Sequence, residues 1–375
     1  MKAPVCGRHG RCHVLLRPEF EPRQDRAARK TLLTLAVLGT FAGAASAQST
    51  VTLFGVVDLG LRNVKNGSVS QKQMSTDGLT VNRIGFRGVE DLGGGLSAGF
   101  WLEAGMLPDV GAAGGSNGLP APTNGSSVLF NRRATVSLTG NWGEIRLGRD
   151  YTPNFWNTAV AVFEPFGATG VASFLNIVNT SLGTGAITFT RANNSVGYFL
   201  PNNLGGFYGQ VQTSAGEGVD ANKQTSARIG YATGPVNVSL ASGVTDTSPN
   251  KYKHHNLGAA YNFGFMSLSA IYDLGEAGPI DQKVWQLGVD IPIGQHQIRA
   301  AYASAKIDNP NPASDPEAKR IGLGYVYHLS KRTGIYGTYA QIKNKNGAAF
   351  VVGAGAGSSL NAKSTGYEVG LRHSF

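Results

Sequence analysis

Residues 51–61 read VTLFGVVDLGL, and their apolar side chains recur mainly at every second position. Successive side chains of a β-strand point to opposite faces, so this spacing predicts a strand with one apolar and one polar face. The apolar face carries Val51, Leu53, Val57, Leu59 and Leu61, and the other carries Thr52, Asp58 and Gly60. The segment is therefore expected to separate an apolar from a polar environment.

The same alternation recurs to the end of the chain in segments of about ten residues. Gly, with 52 residues, suits turns between strands and disfavours helices. Only 333–342 leaves its apolar face undecided, because Ile335 and Tyr339 compete with Tyr336 and Ala340. The alternation is clear in the segments 81–90, 129–139, 236–240, 285–291, 297–302 and 320–327.

Short turns and longer polar connections alternate between these segments. Seven short turns and eight long connections imply sixteen strands. The pattern predicts an all-β fold, a sixteen-stranded antiparallel transmembrane up-and-down barrel with short periplasmic turns and long external loops. The long connections are predicted at 66–80, 106–128, 151–192, 214–224, 244–254, 275–283, 305–318 and 343–363.

A soluble antiparallel sandwich or a lipocalin-like barrel is the alternative to a membrane barrel, since its strands also alternate. Its filled core would not accept a strand face rich in arginine, whereas a water-filled lumen would. The apolar faces are also rich in aromatic residues near strand ends, as membrane barrels require. The arginines of the polar face are Arg83, Arg87, Arg133, Arg146, Arg228, Arg299 and Arg320.

The N-terminal region has the pattern of a secretory signal peptide. Arg29 and Lys30 precede a short apolar run over 31–38, and Ala45-Ser46-Ala47 ends it with a cleavage pattern. A membrane anchor would need a longer apolar run. We therefore predict a leader over 1–47, cleaved after Ala47, and a barrel over 48–375. Residues 1–28 make this leader unusually long, which leaves open an extended signal or a later translation start.

Removing the leader changes the charge and the cysteine content. Both cysteines, Cys6 and Cys12, lie in the leader, so the predicted mature chain has none, as suits passage through an oxidising periplasm. The leader also holds eight of the 33 Lys and Arg residues and three of the 23 Asp and Glu residues. The remaining 25 basic and 20 acidic residues give only a modest positive charge. Nucleic acid is therefore not expected as a partner.

The last strand resembles the terminal aromatic strand that outer-membrane barrels present to their assembly machinery. Tyr367, Val369, Leu371 and His373 share one face with Phe375, the last residue. Further stretches resemble the general-diffusion porins of Gram-negative bacteria, of the β-proteobacterial type. They are Val51–Asp58, Ser75–Leu92 with its Arg83-Ile84-Gly85-Phe86-Arg87-Gly88, Phe130–Arg133, Leu147–Tyr151, Glu164–Gly167 and Arg191–Val196.

This resemblance implies a homotrimer of sixteen-stranded barrels in the outer membrane that conducts small hydrophilic solutes and ions by passive diffusion. It implies neither an enzyme nor a cofactor, and the third external loop, about 151–192, would fold into the lumen as a constriction. The partners implied are outer-membrane lipid and lipopolysaccharide, the barrel assembly machinery for the strand of Tyr367, Val369, Leu371 and Phe375, and the permeating solutes.

Strand parity sorts the candidate pore residues. An arginine facing lipid at the bilayer midplane costs about 2–4 kcal/mol, so polar-face arginines are assigned to the pore. We predict a constriction in which Arg83, Arg87, Arg133 and Arg146, with Arg62 at the outer end of the first strand, face Asp150 and Glu164. The basic surplus favours weak anion preference. A solvated wall without selectivity is the alternative, and Arg132 and Arg149, of opposite parity, are expected at the rim or a subunit contact.

Two functions of other classes compete with a channel. An outer-membrane barrel enzyme, of lipase or protease type, would need Ser and His or paired acids at an external site. One hydrolase-like motif, Gly95-Leu96-Ser97-Ala98-Gly99, has its turn before a strand and not between strand and helix. A non-conducting adhesin barrel would lack a long inward loop. The five mature histidines show no metal-ligand spacing, so no metal site is expected.

Overall fold

The computed structural model describes residues 50–114, 128–160, 162–167, 169–178, 182, 188–218, 223–247, 250–309, 315–353 and 357–375. The predicted leader and its cleavage site lie outside these ranges. The described residues form strands that each run antiparallel to their neighbours. The strands are β1 (Thr50–Asn66), β2 (Val69–Thr76), β3 (Arg83–Gly93), β4 (Leu96–Leu107), β5 (Ala112–Ala113), β6 (Arg133–Gly140), β7 (Gly143–Tyr151), β8 (Arg191–Phe199), β9 (Phe207–Ser214), β10 (Gln224–Thr233), β11 (Val236–Asp246), β12 (Lys251–Asn262), β13 (Ser267–Ala277), β14 (Ile280–Ile293), β15 (His296–Asp308), β16 (Glu317–His328), β17 (Thr333–Lys345) and β18 (Lys363–Ser374).

The sheet closes on itself at β1. This strand pairs with β18 on one side and with both β2 and β3 on the other. β2 lies along Leu59–Asn66 and β3 along Thr50–Val56, so the two together make one barrel strand interrupted at 77–82. β5 is a two-residue strand paired with β4 alone. The wall thus has sixteen strands, and the predicted sixteen-stranded antiparallel barrel is confirmed.

The interruption between β2 and β3 is held by the buried side chain of Asp58. Its carboxylate accepts hydrogen bonds from the backbone amides of Leu79 (2.7 Å) and Thr80 (2.6 Å) and from the hydroxyl of Tyr336 (2.7 Å). Charge-assisted hydrogen bonds of this kind are stronger than neutral ones. They replace ladder bonds that are lost where β2 gives way to β3, so the backbone can leave the sheet here.

The two faces of the wall differ as the alternation predicts. On β16, Ile321, Leu323 and Tyr325 are 41, 54 and 44 % exposed, whereas the neighbouring Arg320 is fully buried. In 333–342, which the sequence left undecided, Ile335 lies on the outer face and Tyr336 is buried inside. A closed barrel with its apolar side chains outward and its charged side chains inward satisfies its backbone in lipid and keeps a polar interior.

Several connections are shorter than predicted. The long loop predicted at 66–80 is mostly strand β2, and the one predicted at 275–283 is a two-residue turn that begins at Gly278. Gly278 has a φ of +61°, which a turn of this length requires and glycine adopts without strain. Polar residues at these strand ends made them resemble loops in the sequence. The seven short turns, predicted at 91–95, 139–142, 201–205, 233–235, 262–264, 292–294 and 329–332, all fall at the junctions between consecutive strands.

The longest connection joins β7 to β8, and we call residues 152–190 loop L3. It contains one turn of α-helix over Pro153–Phe155, a π-helical turn over Trp156–Val160 and a 3₁₀ turn over Phe174–Asn176. Thr152 caps the first turn by accepting a hydrogen bond from the Phe155 amide. Among the described residues, no helix is long and apolar enough to cross a membrane.

Candidate pore constriction

Loop L3 packs against the charged face of the wall, which is the inner face of the closed barrel. Its first turns are fixed by asparagines that bond the backbone of distant strands. Asn154 donates to the carbonyl of His254 on β12 (2.8 Å), and Asn157 donates to the carbonyl of Ser239 on β11 (3.1 Å). Asn157 also donates to the Asn256 side chain (2.8 Å). Loop L3 is therefore attached inside the barrel from its beginning.

The middle of loop L3 is attached through a buried polar group, which we call the L3 anchor: Glu164, Gln286 and Arg320. Gln286 on β14 donates to the Glu164 carboxylate and accepts from the Arg320 guanidinium. Arg320, on β16, also donates to the carbonyl of Ala172, farther along the loop. Burial raises the pKa of Glu164, and the Arg320 charge and the Gln286 hydrogen bond oppose that rise. The anchor thus ties two points of the loop to two strands.

Glycines of β16 make room for this part of the loop. A Cβ at Gly324 would lie 2.7 Å from the Phe166 ring, and a Cβ at Gly322 would lie 2.9 Å from the Cβ of Ala172. Both distances are shorter than real side-chain contacts allow. These glycines are thus needed for close approach and not for a turn, and they let the loop lie directly on the wall.

The far part of loop L3 reaches the strands that close the barrel. The Glu368 carboxylate on β18 accepts the Val171 amide (3.0 Å) and pairs with Arg62 on β1 (2.7 Å). Thr169 donates its hydroxyl hydrogen to the carbonyl of Asp77 in the break between β2 and β3. Loop L3 therefore contacts the inner wall at β11, β12, β14, β16 and β18.

Apolar side chains of loop L3 form a core inside the barrel. Phe163, Val171, Ala172, Phe174 and Ile177 are fully buried, in one cluster with inward-facing alanine, valine and isoleucine of the wall. Burying a phenylalanine, valine or isoleucine stabilises the packed state by about 1.5–3 kcal/mol. The loop is thus a fixed part of the wall, so the channel is narrowed by a packed structure.

Arg87, Arg133 and Arg146, which we call the arginine ladder, lie together on β3, β6 and β7. The guanidiniums of Arg87 and Arg133 stack on Trp101, with Cζ 5.2 and 4.6 Å from the ring centroid. Arg146 pairs with Asp150 (2.6 Å), and Arg133 approaches the same carboxylate at 3.8 Å. Stacking on an aromatic face attracts a guanidinium without neutralising it. The three arginines and Asp150 therefore form one cluster.

The geometry does not place all predicted residues in this cluster. Glu164 does not face the ladder across the lumen: it is buried in the L3 anchor on β14 and β16. Asp150 lies within the ladder and not opposite it. Arg62 is paired with Glu368, and Arg83 turns toward Glu103 at 3.7 Å. The side chains therefore do not form the predicted arrangement, in which arginines face acidic residues across the lumen.

Strand parity does not predict the position of a second charged cluster. Arg132 donates to Glu103 (2.5 Å) and to the hydroxyl of Tyr151 (2.5 Å), and Arg191 donates to that hydroxyl as well (3.1 Å). Parity predicts Arg132 at the rim or a subunit contact, but its side chain is buried. The chain leaves regular strand geometry just before β6, so parity counted from Arg133 does not apply to Arg132.

Arg149 is also expected at the rim and is also buried, next to an irregularity. The pairing of β7 with β8 shifts register between Gly148 and Asp150, and Gly148 has a φ of +121°. Arg149 donates to the carbonyl of Asn131 (2.8 Å) and to Asn193. A bulge redirects the side chains beside it. In the sequence, only the glycine at position 148 could have signalled this bulge.

The ladder is more positive than its acidic neighbours can balance. Its three guanidiniums meet two carboxylates, Asp150 and Glu144, and both pair with Arg146. Arg87 is exposed and forms no ion pair with any residue of the described ranges. The arginine ladder can thus attract anions electrostatically.

In the described ranges, no group of three or more His, Cys, Asp or Glu could hold a metal ion.

Comparison with known proteins places this geometry in a family. A sequence model described as Gram-negative porin matches residues 34–347. Outer membrane porin protein 32 of Delftia acidovorans is 36 % identical over 373 residues, covering 92 % of this chain and all of the relative. An outer membrane porin protein of Bordetella pertussis is 28 % identical over 417 residues, again covering 92 % of this chain and all of the relative.

A solved structure agrees with these sequence matches. The anion-selective porin from Comamonas acidovorans is 34 % identical, with a TM-score of 0.75, covering 88 % of this chain and all of that one. The fold, the sequence family and the relatives all point to a channel and not to an enzyme. The chain belongs to the Gram-negative porins, channels of the outer membrane through which small hydrophilic solutes diffuse passively.

Proposed function

We propose that this porin is a trimer with weak anion preference, and that the arginine ladder sets that preference. The observation that carries the proposed anion preference is the exposed Arg87, which has no ion pair in the described ranges and stacks on Trp101 beside Arg133. The proposed trimer rests on membership of the porin family. A basic ring in a narrowed pore favours anions, and low-dielectric walls strengthen its field. The resemblance to a porin named as anion-selective supports the same sign.

Conductance through planar bilayers tests the channel and its oligomeric state. The mature protein, without residues 1–47, is expected to insert as units whose current closes in three equal voltage-induced steps. A trimer of independent pores predicts three steps because each barrel encloses its own lumen. Single-step closure would contradict the trimer, and absence of any stepwise current would contradict the channel.

We further propose that residues 1–47 are removed as a signal peptide and that the C-terminal strand is recognised by the barrel assembly machinery. Tyr367, Val369, Leu371 and Phe375 lie on the outer face at the end of the chain, between 41 and 58 % exposed. Such a row of side chains is accessible to a partner before the barrel closes. Lipid and lipopolysaccharide of the outer membrane would then surround the apolar belt.

Deletion of Phe375 is expected to lower the amount of folded barrel in cells severalfold, while mature protein refolded in detergent is affected less. The Phe375 backbone exchanges two hydrogen bonds of 3.1 Å with Gly55, and its ring covers that glycine. Heat-modifiable mobility in gels measures the folded fraction, and His373→Ala is the control on the same face. Equal losses in cells and in detergent would show a purely structural role.

A further inference from the structure

A cavity opens in the inner wall of the barrel between β7 and β10. Its volume is about 530 Å³, and it adjoins the short turns that follow β6 and β8. Short turns mark the periplasmic end of a barrel of this kind. The strand side chains that line the cavity include Glu144, Phe199, Tyr208, Gln210 and Arg228. The cavity therefore lies in the wall that solutes pass at the periplasmic mouth of the pore.

Two polar side chains reach the cavity from neighbouring strands. Arg228 on β10 is the direct partner of Gln210 on β9. Their chain neighbours Ile229 and Val211 are 56 and 53 % exposed on the outer face, whereas Gln210 is only 3 % exposed. Successive side chains of a strand face opposite sides, so Arg228 and Gln210 both face inward. Their donor groups thus converge on one part of the cavity.

The protein leaves donors of both side chains without partners in the part that the structure describes. Arg228 forms no ion pair with those residues, and its buried Nε has no hydrogen-bond partner among them. The buried Nε2 of Gln210 has none either. Buried polar groups are normally hydrogen-bonded, because an unpaired donor loses its water without compensation. One charged and one neutral donor without partners therefore suit an anionic acceptor.

Aromatic rings fix the guanidinium of Arg228 beside the cavity. Its Cζ lies 5.0 Å from the ring centroid of Tyr208 and 5.8 Å from that of Trp156 in loop L3. Tyr208 is itself held, since its hydroxyl donates to the Asn237 side chain (2.6 Å). Rings contact the face of a guanidinium, and its N–H groups point outward in its plane. The edge of Arg228 therefore stays available for a carboxylate.

The cavity also offers apolar surface, and the charge of the acid that lines it is balanced. The rings of Phe199 and Tyr208 both line it. Glu144 pairs with Arg146 (3.0 Å), whose Cζ lies 3.9 Å from the centroid of Phe199. An aliphatic carboxylate would use the donors alone, whereas a ligand with a ring would also contact these aromatic side chains. The lining thus favours a carboxylate attached to an aromatic ring.

We propose that this cavity is a binding site for small aromatic carboxylates at the periplasmic mouth of the pore. The carboxylate accepts hydrogen bonds from the edge of Arg228 and from Nε2 of Gln210, and the ring contacts Phe199 and Tyr208. The inference rests on the proposed anion preference for the sign of the solute charge, and it adds a solute class and a second site to the arginine ladder.

The test measures binding of para-fluorobenzoate to the mature trimer in detergent through the width of its fluorine NMR signal. Unlabelled benzoate is expected to displace the probe, and acetate and benzyl alcohol at the same concentration are expected to displace much less. Acetate lacks the ring and benzyl alcohol lacks the charge, so each loses one half of the contacts.

Arg228→Gln is expected to weaken binding of the probe on the order of ten- to a hundredfold, because hydrogen bonds to charged groups are the stronger ones. The matched control is Arg372→Gln, which removes an inward arginine of β18 that does not line the cavity. Its Nε is likewise buried and without a partner among the described residues. This control should bind the probe like the wild type.

Gln210→Met tests the site without removing a charge, and it is expected to weaken binding on the order of tenfold. The Nε2 of Gln210 has no partner to lose in the described part of the protein, so a purely structural role predicts no change in binding. Heat-modifiable mobility in gels checks that each variant is folded, and Gln210→Met carries the test if Arg228→Gln does not fold.

Three results would overturn the inference: wild-type affinity in folded Arg228→Gln or Gln210→Met, an equal loss in Arg372→Gln, or displacement of the probe by acetate as effective as by benzoate. The outcome is distinct from that of the ladder. A wild-type trimer that binds benzoate but shows a cation-selective reversal potential would contradict the arginine ladder alone. An anion-selective trimer that does not bind benzoate would contradict this cavity alone.

Discussion

Replacing Arg320 by methionine is expected to release the middle of loop L3 from the wall at neutral pH and to make the open channel noisy. Arg320 is the positive member of the L3 anchor and reaches both Gln286 and the Ala172 carbonyl. Removing one partner from a buried charged group costs about 3–5 kcal/mol, because the other charge stays buried without compensation. The measurement is single-channel current noise, with thermal unfolding of the barrel as a second readout.

The same variant should depend on pH in a definite direction. Burial raises the pKa of Glu164, and loss of Arg320 raises it further. The docked loop then holds the neutral acid, and the released loop holds the carboxylate. Docking is therefore stable below the ordinary pKa of an exposed glutamate and is lost as the pH rises through the raised pKa. Current noise in Arg320→Met should fall on acidification and return on neutralisation.

A second variant separates this explanation from general damage to the fold. Arg320→Met/Glu164→Gln removes both charges and keeps the shape of the carboxyl group. Its single-channel current noise is therefore expected to stay at the wild-type level at all pH values. Noise that persists in the double variant, or noise in Arg320→Met that ignores pH, would contradict the role given to the anchor. Gly324→Ala is a complementary control, since it should displace Phe166 without adding or removing a charge.

Reversing two charges of the arginine ladder is expected to turn the pore cation-selective. Arg87→Glu/Arg133→Glu places two carboxylates beside Trp101, where two guanidiniums now stack. Each unit charge acts on a passing ion with about 1–4 kcal/mol at about 4 Å, depending on the surrounding dielectric. A roughly tenfold change in the ratio of chloride to potassium permeability needs only about 1.4 kcal/mol, and it is measured as a reversal potential in a salt gradient.

The matched control for this variant carries the same change of charge outside the pore. Lys251→Glu/Lys253→Glu reverses two exposed lysines on the outer face of β12. It should leave the reversal potential near the wild-type value, since salt at about 0.1–0.15 M screens the field of an exposed charge beyond about 8–10 Å. A shift as large as that of the ladder variant would show that overall charge, and not the ladder, sets selectivity.

The architecture was predictable from the sequence because one face of the barrel strands must meet lipid. Ile321, Leu323 and Tyr325 recur at every second position, and a strand with a lipid-facing outer side explains that spacing. Strand ends were less predictable. Lys283 and Lys306 fall in connections predicted from the sequence, yet both continue a strand outward, where the membrane surface accepts charge.

The site was predictable only where parity and regular geometry hold. Arg87, Arg133 and Arg146 lie on regular strands, and the structure places them together. Glu164 lies in loop L3, where it contacts a strand more than a hundred residues away, and nothing local indicates that it turns toward Gln286. The buried positions of Arg132 and Arg149 depend on irregular backbone beside them. The positions of these three side chains thus depend on tertiary contacts and irregular backbone, which the local sequence pattern does not indicate.

The reversal potential of the wild-type mature trimer in a potassium chloride gradient tests the role of the arginine ladder most directly. The ladder holds three arginines and too few acids to balance them, which predicts a potential displaced toward the chloride equilibrium value. Screening predicts a smaller displacement as the salt concentration rises. A potential displaced toward the potassium equilibrium value would contradict the assignment of the ladder as the selectivity-determining site of this porin.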